Sequence, residues 1–139
     1  MSTIINELLE DNFLPEYITG FLVPEGRRRH IRLESAIKEH LCDLGVSFTP
    51  DPENSPLAGG YYIWVLLPDA LTAIQVCEEA LKRQNLVLGS GETFAVPGGN
   101  RSGDLHRRLR LCFMWEDEGR LIEGVERLGV VIRDILANN

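Results

Sequence analysis

Within residues 106 to 115, HRRLRLCFMW, polar and apolar positions alternate over residues 108 to 111. In a strand this places Leu109, Leu111 and Phe113 on one face and Arg108, Arg110, Cys112 and Met114 on the other. Arg110 thus stands on a face that turns apolar after it. A guanidinium held there is costly unless an anion meets its donors. That anion is either a carboxylate of the same chain, such as Glu92 or Asp104, or one that arrives from outside.

The rest of the chain divides into helical and extended stretches. Ile4, Ile5, Leu8, Leu9 and Phe13 form a short helical stripe, capped by Ser2 or Thr3. A second helix is predicted from about Pro24 to Leu44, with Ile31, Leu33, Ile37, Leu41 and Leu44 inward and Gly45 as its stop. Arg27, Arg28 and Arg29 then read as a solvated helix face. VSFT, at 46 to 49, is a strand, and DPENSPLAGG after it is a loop. YYIWVLL, at 61 to 67, reads as a central strand buried on both faces. Asp69 is placed as the cap of a helix from about Ala70 to Gln84, with Leu71, Ile74, Val76 or Cys77, Ala80 and Leu81 inward. NLVLG is a short strand, and GSGETFAVPGGNRSGD is mostly loop, with a type II turn at Pro97-Gly98. The last helix spans about Asp117 to Leu136. Its Leu121, Val125, Leu128, Ile132 and Ile135 recur at helical spacing, and acidic residues 116 to 118 suit its positive end. The order helix, helix, strand, strand, helix, strand, strand, helix gives an α+β fold, a small sheet covered by helices.

Bulk properties narrow the class. At 139 residues the chain suffices for one domain with a real core. A hydrophobic share of 44% and a charged share of 25% are those of an ordinary globular protein. The net charge of -7 argues against a nucleic-acid surface despite the local arginine runs. The start carries no basic leader, and the apolar run Tyr61 to Leu67 is too short to span a bilayer, so a cytoplasmic location without membrane attachment is expected. Cys42, Cys77 and Cys112 are expected to be reduced and mostly buried. His30, His40 and His106 show no ligand spacing, so no metal site is expected.

Two stretches go beyond fold grammar: GGYYIWVLLP and LRLCFMWEDEGRLIEGVERLGVVIRDI. In this order and separation they resemble the C-terminal small domain of class I/II aminotransferases, the fold-type-I enzymes that use pyridoxal phosphate. That family opens an aromatic strand with Gly-Gly and closes it with Leu-Pro. A Pro-Gly-x-x-Phe loop follows, then a Leu-Arg-Leu-(Ser/Cys)-Phe strand and a helix rich in Glu-Gly-Val-x-Arg-Leu. The resemblance implies a lead-in segment over residues 1–23 and the small domain over 24–139. The departure lies at Ser90-Gly91-Glu92-Thr93-Phe94, where Ser90 stands in place of the usual proline.

By its place in LRLCF, Arg110 matches the family's arginine that grips the substrate's α-carboxylate, and the resemblance favours an external carboxylate over Glu92 or Asp104. Arg107 and Arg108 read as a wet strand entrance. Transamination also needs a lysine that holds the cofactor and shuttles a proton. The chain has two lysines, Lys38 and Lys82, each on the polar side of a predicted helix and in no Ser-x-x-Lys motif. GSGETF lacks the features of a phosphate cradle. The resemblance therefore implies pyridoxal phosphate as the family's cofactor but no cofactor-binding or catalytic residue in this chain. The expected function is a carboxylate-binding domain of an amino-acid transaminase, truncated or separately encoded and inactive alone. The alternative is a non-catalytic module that docks on a full-length aminotransferase or senses a carboxylate metabolite. The expected partners are an amino-acid or 2-oxo-acid carboxylate and an aminotransferase large domain or full-length chain.

Overall fold

The computed structural model describes residues 6, 7, 9, 12–49, 60–95 and 104–138. The stripe over Ile4, Ile5 and Leu8 and the turn at Pro97-Gly98 lie outside them. A short helix α1, Phe13–Tyr17, runs through a π-helical turn, Ile18–Leu22, into α2, Val23–His40. Helix therefore begins well before Pro24. The widened turn ends two residues ahead of that proline, whose ring would press on the carbonyl four residues back along an α-helical path. The second helix also ends earlier than expected. Residues Cys42–Leu44 tighten into a 3-10 turn, and Gly45 closes it at φ 81.

Four strands follow in the spatial order β1, β2, β4, β3, all antiparallel. They are β1 (Ser47–Phe48), β2 (Tyr62–Leu66), β3 (Gly89–Ser90) and β4 (Arg108–Cys112). Helix α3, Ala73–Gln84, separates β2 from β3, and α4, Glu118–Ala137, follows β4. The α+β expectation holds. The NLVLG strand shifts to Gly89–Ser90, with Leu86 and Leu88 packed half-buried against the core.

One sheet face is dry. Ile63, Val65, Leu109 and Leu111 meet Leu33 and Ile37 from α2, Leu41 just after it, Val76 and Ala80 from α3, and Leu128, Val131 and Ile132 from α4 in a single core. Strand β2 is central but not buried on both faces: Ile63 and Val65 are buried, whereas Tyr62, Trp64 and Leu66 are exposed or half-buried. Among the described residues the three helices cover one side of the sheet and leave the other open. The stripe of α4 is buried throughout, at Leu121, Val125, Leu128, Ile132 and Ile135. The stripes of α2 and α3 are rotated from expectation, so Ile31, Ile74 and Leu81 are exposed and Ala36 and Ala73 are buried instead.

Local chemistry fixes the element ends. Thr72, not Asp69, caps α3, accepting the Gln75 N–H at 3.3 Å. Asp69 pairs instead with Arg107. Asp117 caps α4 by accepting the Arg120 N–H at 3.0 Å. Arg29 donates to the Glu116 carbonyl at 2.6 Å and to Glu25 at 2.6 Å, while Arg28 bridges Glu25 and Glu118. The triple arginine is thus partly a tie between α2 and the turn that leads from β4 into α4, not simply a wet face. The cysteines are free thiols, with Cys42 exposed and Cys77 and Cys112 half-buried, so the expected burial fails at Cys42. Among the described residues no helix is long and apolar enough to cross a membrane. No group of histidines, cysteines or carboxylates among them could hold a metal ion.

Candidate functional site

The open face of the sheet carries the even-numbered residues of β2 and β4. Their register sets Tyr62 opposite Cys112, Trp64 opposite Arg110 and Leu66 opposite Arg108. On the other side of β4, Gly89 pairs with Arg110. A Cβ at Gly89 would lie 3.4 Å from the Arg110 Cβ and 3.7 Å from its Nε, so the glycine leaves the arginine room on that flank.

Arg110 is half-buried, and its surroundings are aromatic. Its guanidinium carbon lies 4.0 Å from the centroid of the Tyr62 ring and 3.9 Å from that of the Phe94 ring, over both. Trp64 meets Phe94 edge to face, with centroids 5.6 Å apart and planes at 88°. No carboxylate of the described residues pairs with Arg110, and none of its N–H donors bonds within them. The intrachain partners Glu92 and Asp104 are not used: Asp104 pairs with Arg107 at 3.3 Å.

Phe94 arrives by a short device. Residues Gly91–Phe94 form a 3-10 turn whose Glu92 N–H is accepted by the Ser90 hydroxyl at 3.4 Å. The start of this mostly loop segment is therefore structured. Gly91 is buried against the Leu105 and Arg108 carbonyls, where no side chain fits. Thus the entry to β4 fixes the turn that delivers the second ring.

The neighbouring arginines differ from the expectation of a wet strand entrance. Arg107 has only 16% of its side chain exposed and is clamped by Asp69 and Asp104. It precedes β4, and its carbonyl accepts the Leu67 N–H at 2.9 Å, which closes the end of the β2 ladder. Arg108 is half-buried on the open face. The sequence carries no signal that Tyr62 and Trp64 border Arg110, and Phe94 stands out in it only as the end of the stretch at 90–94. Tyr62 and Trp64 share the parity of Arg110 once β2 and β4 are paired, a relation that only the register supplies.

The two lysines stand apart from this face. Lys38 is 58% exposed and paired with Glu34 at 2.7 Å; Lys82 is 77% exposed and lies 3.8 Å from Glu79. The described residues therefore offer no recessed lysine for pyridoxal phosphate, and the group does not fit them.

No family model matches the chain. It is 33% identical over 134 residues to a 2-aminoadipate transaminase of Thermus thermophilus, covering 96% of this chain and 31% of that protein. An uncharacterised protein of Saccharomyces cerevisiae is 29% identical over 139 residues, with 99% of this chain and 29% of that one covered. Among solved structures, the α-aminoadipate aminotransferase LysN of Thermus thermophilus, complexed with N-(5'-phosphopyridoxyl)-L-leucine, superposes with a TM-score of 0.76 and 25% identity. That match covers 97% of this chain and 31% of LysN. In fold, the chain is like the small domain of pyridoxal-phosphate-dependent aminotransferases. It spans less than a third of the length of these curated relatives. The small sheet with helices on one face is the architecture the sequence resemblance implied.

Proposed function

We propose that this small domain supplies the carboxylate-binding part of an amino-acid transaminase, with Arg110 as the residue that grips the α-carboxylate of an amino acid or 2-oxo acid. The observation that carries the reading is a guanidinium on the open face of the sheet with its hydrogen-bonding donors unused by the described residues. Two parallel N–H···O bonds from a planar fork give orientation as well as affinity. In transamination, orientation of the α-carboxylate sets the direction of the Cα–H bond, which must face the base that removes its proton. The family's cofactor, when bound, supplies the electron sink that makes that proton removable.

On this reading the 139 residues alone are inactive. Mixing the pure chain with pyridoxal phosphate, reducing with borohydride and mapping the modified residues by mass spectrometry tests the point. No stoichiometric adduct at Lys38 or Lys82 is expected, and an adduct accompanied by transaminase turnover overturns it. The carboxylate role is tested by calorimetric titration with a 2-oxo acid. Arg110→Lys removes the fork, and an affinity loss of about tenfold follows from losing one charged hydrogen bond. Equal affinity in the two proteins overturns the assignment.

A second reading, a module that docks on a complete aminotransferase, has its own support. Phe13, Tyr17 and Phe21 stack in series, with ring centroids 6.1 and 5.4 Å apart, and together with Leu9 they are exposed. Exposed contiguous rings of this kind mark interaction surfaces. Co-sedimentation with a full-length aminotransferase, lost in Phe13→Asp and Phe21→Asp variants, supports it; no co-sedimentation removes it. Arg28 and Arg29 are engaged with Glu25, which speaks for a function without nucleic acid.

A further inference from the structure

We infer that Tyr62 and Phe94 are positioning residues for Arg110: the two ring faces hold its guanidinium in place without occupying the hydrogen-bonding donors that meet a ligand. The inference rests on the carboxylate-binding reading for its purpose, and on geometry alone for the holding itself.

A long arginine side chain can be fixed in two ways. A carboxylate of the same chain can clamp it, as Asp69 and Asp104 clamp Arg107 and as Glu25 clamps Arg29. That device consumes N–H donors and neutralises the charge, so an incoming anion must displace it. Alternatively, ring faces can take the cation. The attraction of a cation to a ring quadrupole leaves the N–H groups free to donate elsewhere. Arg110 uses the second device, with rings at 4.0 and 3.9 Å and no hydrogen bond or ion pair within the described residues.

The rings are themselves held. Tyr62 stands on β2, two residues along the strand from Trp64, the residue opposite Arg110, so the ladder sets its position. Phe94 is packed by Trp64 at 5.6 Å and is delivered by the turn that Gly91 locks against the Leu105 and Arg108 carbonyls. Two rings thus meet a single guanidinium, and Trp64 and Gly91 hold one of those rings in place. Ordering the arginine before the ligand arrives removes rotamer entropy that binding would otherwise have to overcome.

The test uses the 139-residue chain labelled with 15N-arginine, with acetate as the probe. The Arg110 side-chain Nε–Hε cross-peak is identified by its disappearance in Arg110→Lys. Its proton is expected upfield of the other arginines in the ligand-free chain, because it lies close to two ring faces. Tyr62→Leu and Phe94→Leu are each expected to move it back toward the ordinary position and to weaken acetate binding about two- to fivefold. Phe94→Tyr, which keeps the ring, is expected to restore both, with backbone amide spectra unchanged throughout. Phe94→Ile gives a second aliphatic variant should Phe94→Leu fold poorly. Both rings stand at about 40% exposure, so their loss leaves the core intact. An Nε–Hε resonance that is not displaced in the wild type, or that stays displaced in the leucine variants, overturns the inference even if Arg110→Lys abolishes acetate binding. A ring-dependent displacement with no acetate binding by any form overturns the carboxylate reading and leaves the holding by the rings established.

Discussion

Gly91→Ala is the substitution in which fold and site meet. At most positions where the backbone allows it, replacing glycine by alanine stabilises a protein by about 0.4–1 kcal/mol, because the unfolded chain has fewer states to lose. Gly91 has no positive φ that alone would make alanine strained. What opposes the change is space: a Cβ would lie 2.4 Å from the Leu105 carbonyl oxygen, 3.0 Å from that of Arg108 and 3.1 Å from the Arg108 Cβ. Two of these are backbone atoms that cannot swing aside. Forcing a methyl group into such a site costs about 1–3 kcal/mol, so a net loss of about 1–2 kcal/mol is expected. For a chain of this size that lowers Tm by roughly 3–8 °C. Gly124→Ala is the control, because its Cβ would meet only Leu86 Cδ1 at 3.7 Å within α4, and a helical glycine replaced by alanine gains up to about 1 kcal/mol. Thermal and urea unfolding followed by circular dichroism reads both. The turn that carries Phe94 must also shift, so Trp64 fluorescence changes in Gly91→Ala while Gly124→Ala leaves it as it was. A Gly91→Ala protein as stable as Gly124→Ala refutes the reasoning.

Other consequences follow from individual side chains. Asp117→Ala removes the acceptor for the Arg120 N–H at the start of α4 and is expected to cost about 1 kcal/mol in urea unfolding; an unchanged midpoint denies the cap a role. Burial, with the Glu78 charge second, raises the Cys77 thiol above its ordinary pKa. Its contribution to stability is therefore intact below the unfolded thiol's pKa and is lost as pH climbs through the raised folded value. Alkylation is expected at exposed Cys42 well before Cys77, and equal rates contradict this. Glu25 is held below the usual carboxylate range, first by the hydrogen bond from Arg29 and then by that from Arg28. The stability it contributes is present above the unfolded carboxylate's pKa and is lost as pH falls through the lowered folded value. Glu25→Gln is thus expected to flatten the acid limb of the stability profile, and an unchanged difference between pH 7 and pH 3 excludes that contribution.

Where a pattern depends on one element, the sequence is a sound guide to this fold. Residues 121, 125, 128, 132 and 135 keep helical spacing over about four turns, and all are buried in α4. The alternation of β4 gives its faces correctly, because Leu109 and Leu111 are buried and Arg110 is not. Where the outcome depends on how two elements meet, single-chain patterns fall short. Asp69 and Thr72 are both good caps, and the choice turned on Arg107, far along the chain, taking Asp69. Apolar character alone points Ile31, Ile74 and Leu81 inward, yet they are exposed and the small residues Ala36 and Ala73 sit at the core. Arg110 was legible as an arginine in an unusual setting. Its rings were not: Tyr62 lies 48 residues back and Phe94 comes from a turn whose path depends on Gly91 fitting beneath two carbonyls.

The central claim, that Arg110 meets an external carboxylate on the open sheet face, is tested most directly by following every backbone amide of the chain while a 2-oxo acid is titrated in. The account predicts saturable shifts confined to residues around Arg110, Tyr62 and Phe94, abolished in Arg110→Ala and about tenfold weaker in Arg110→Lys. Shifts centred on Arg27 and Arg28, or a response that survives Arg110→Ala, contradict it.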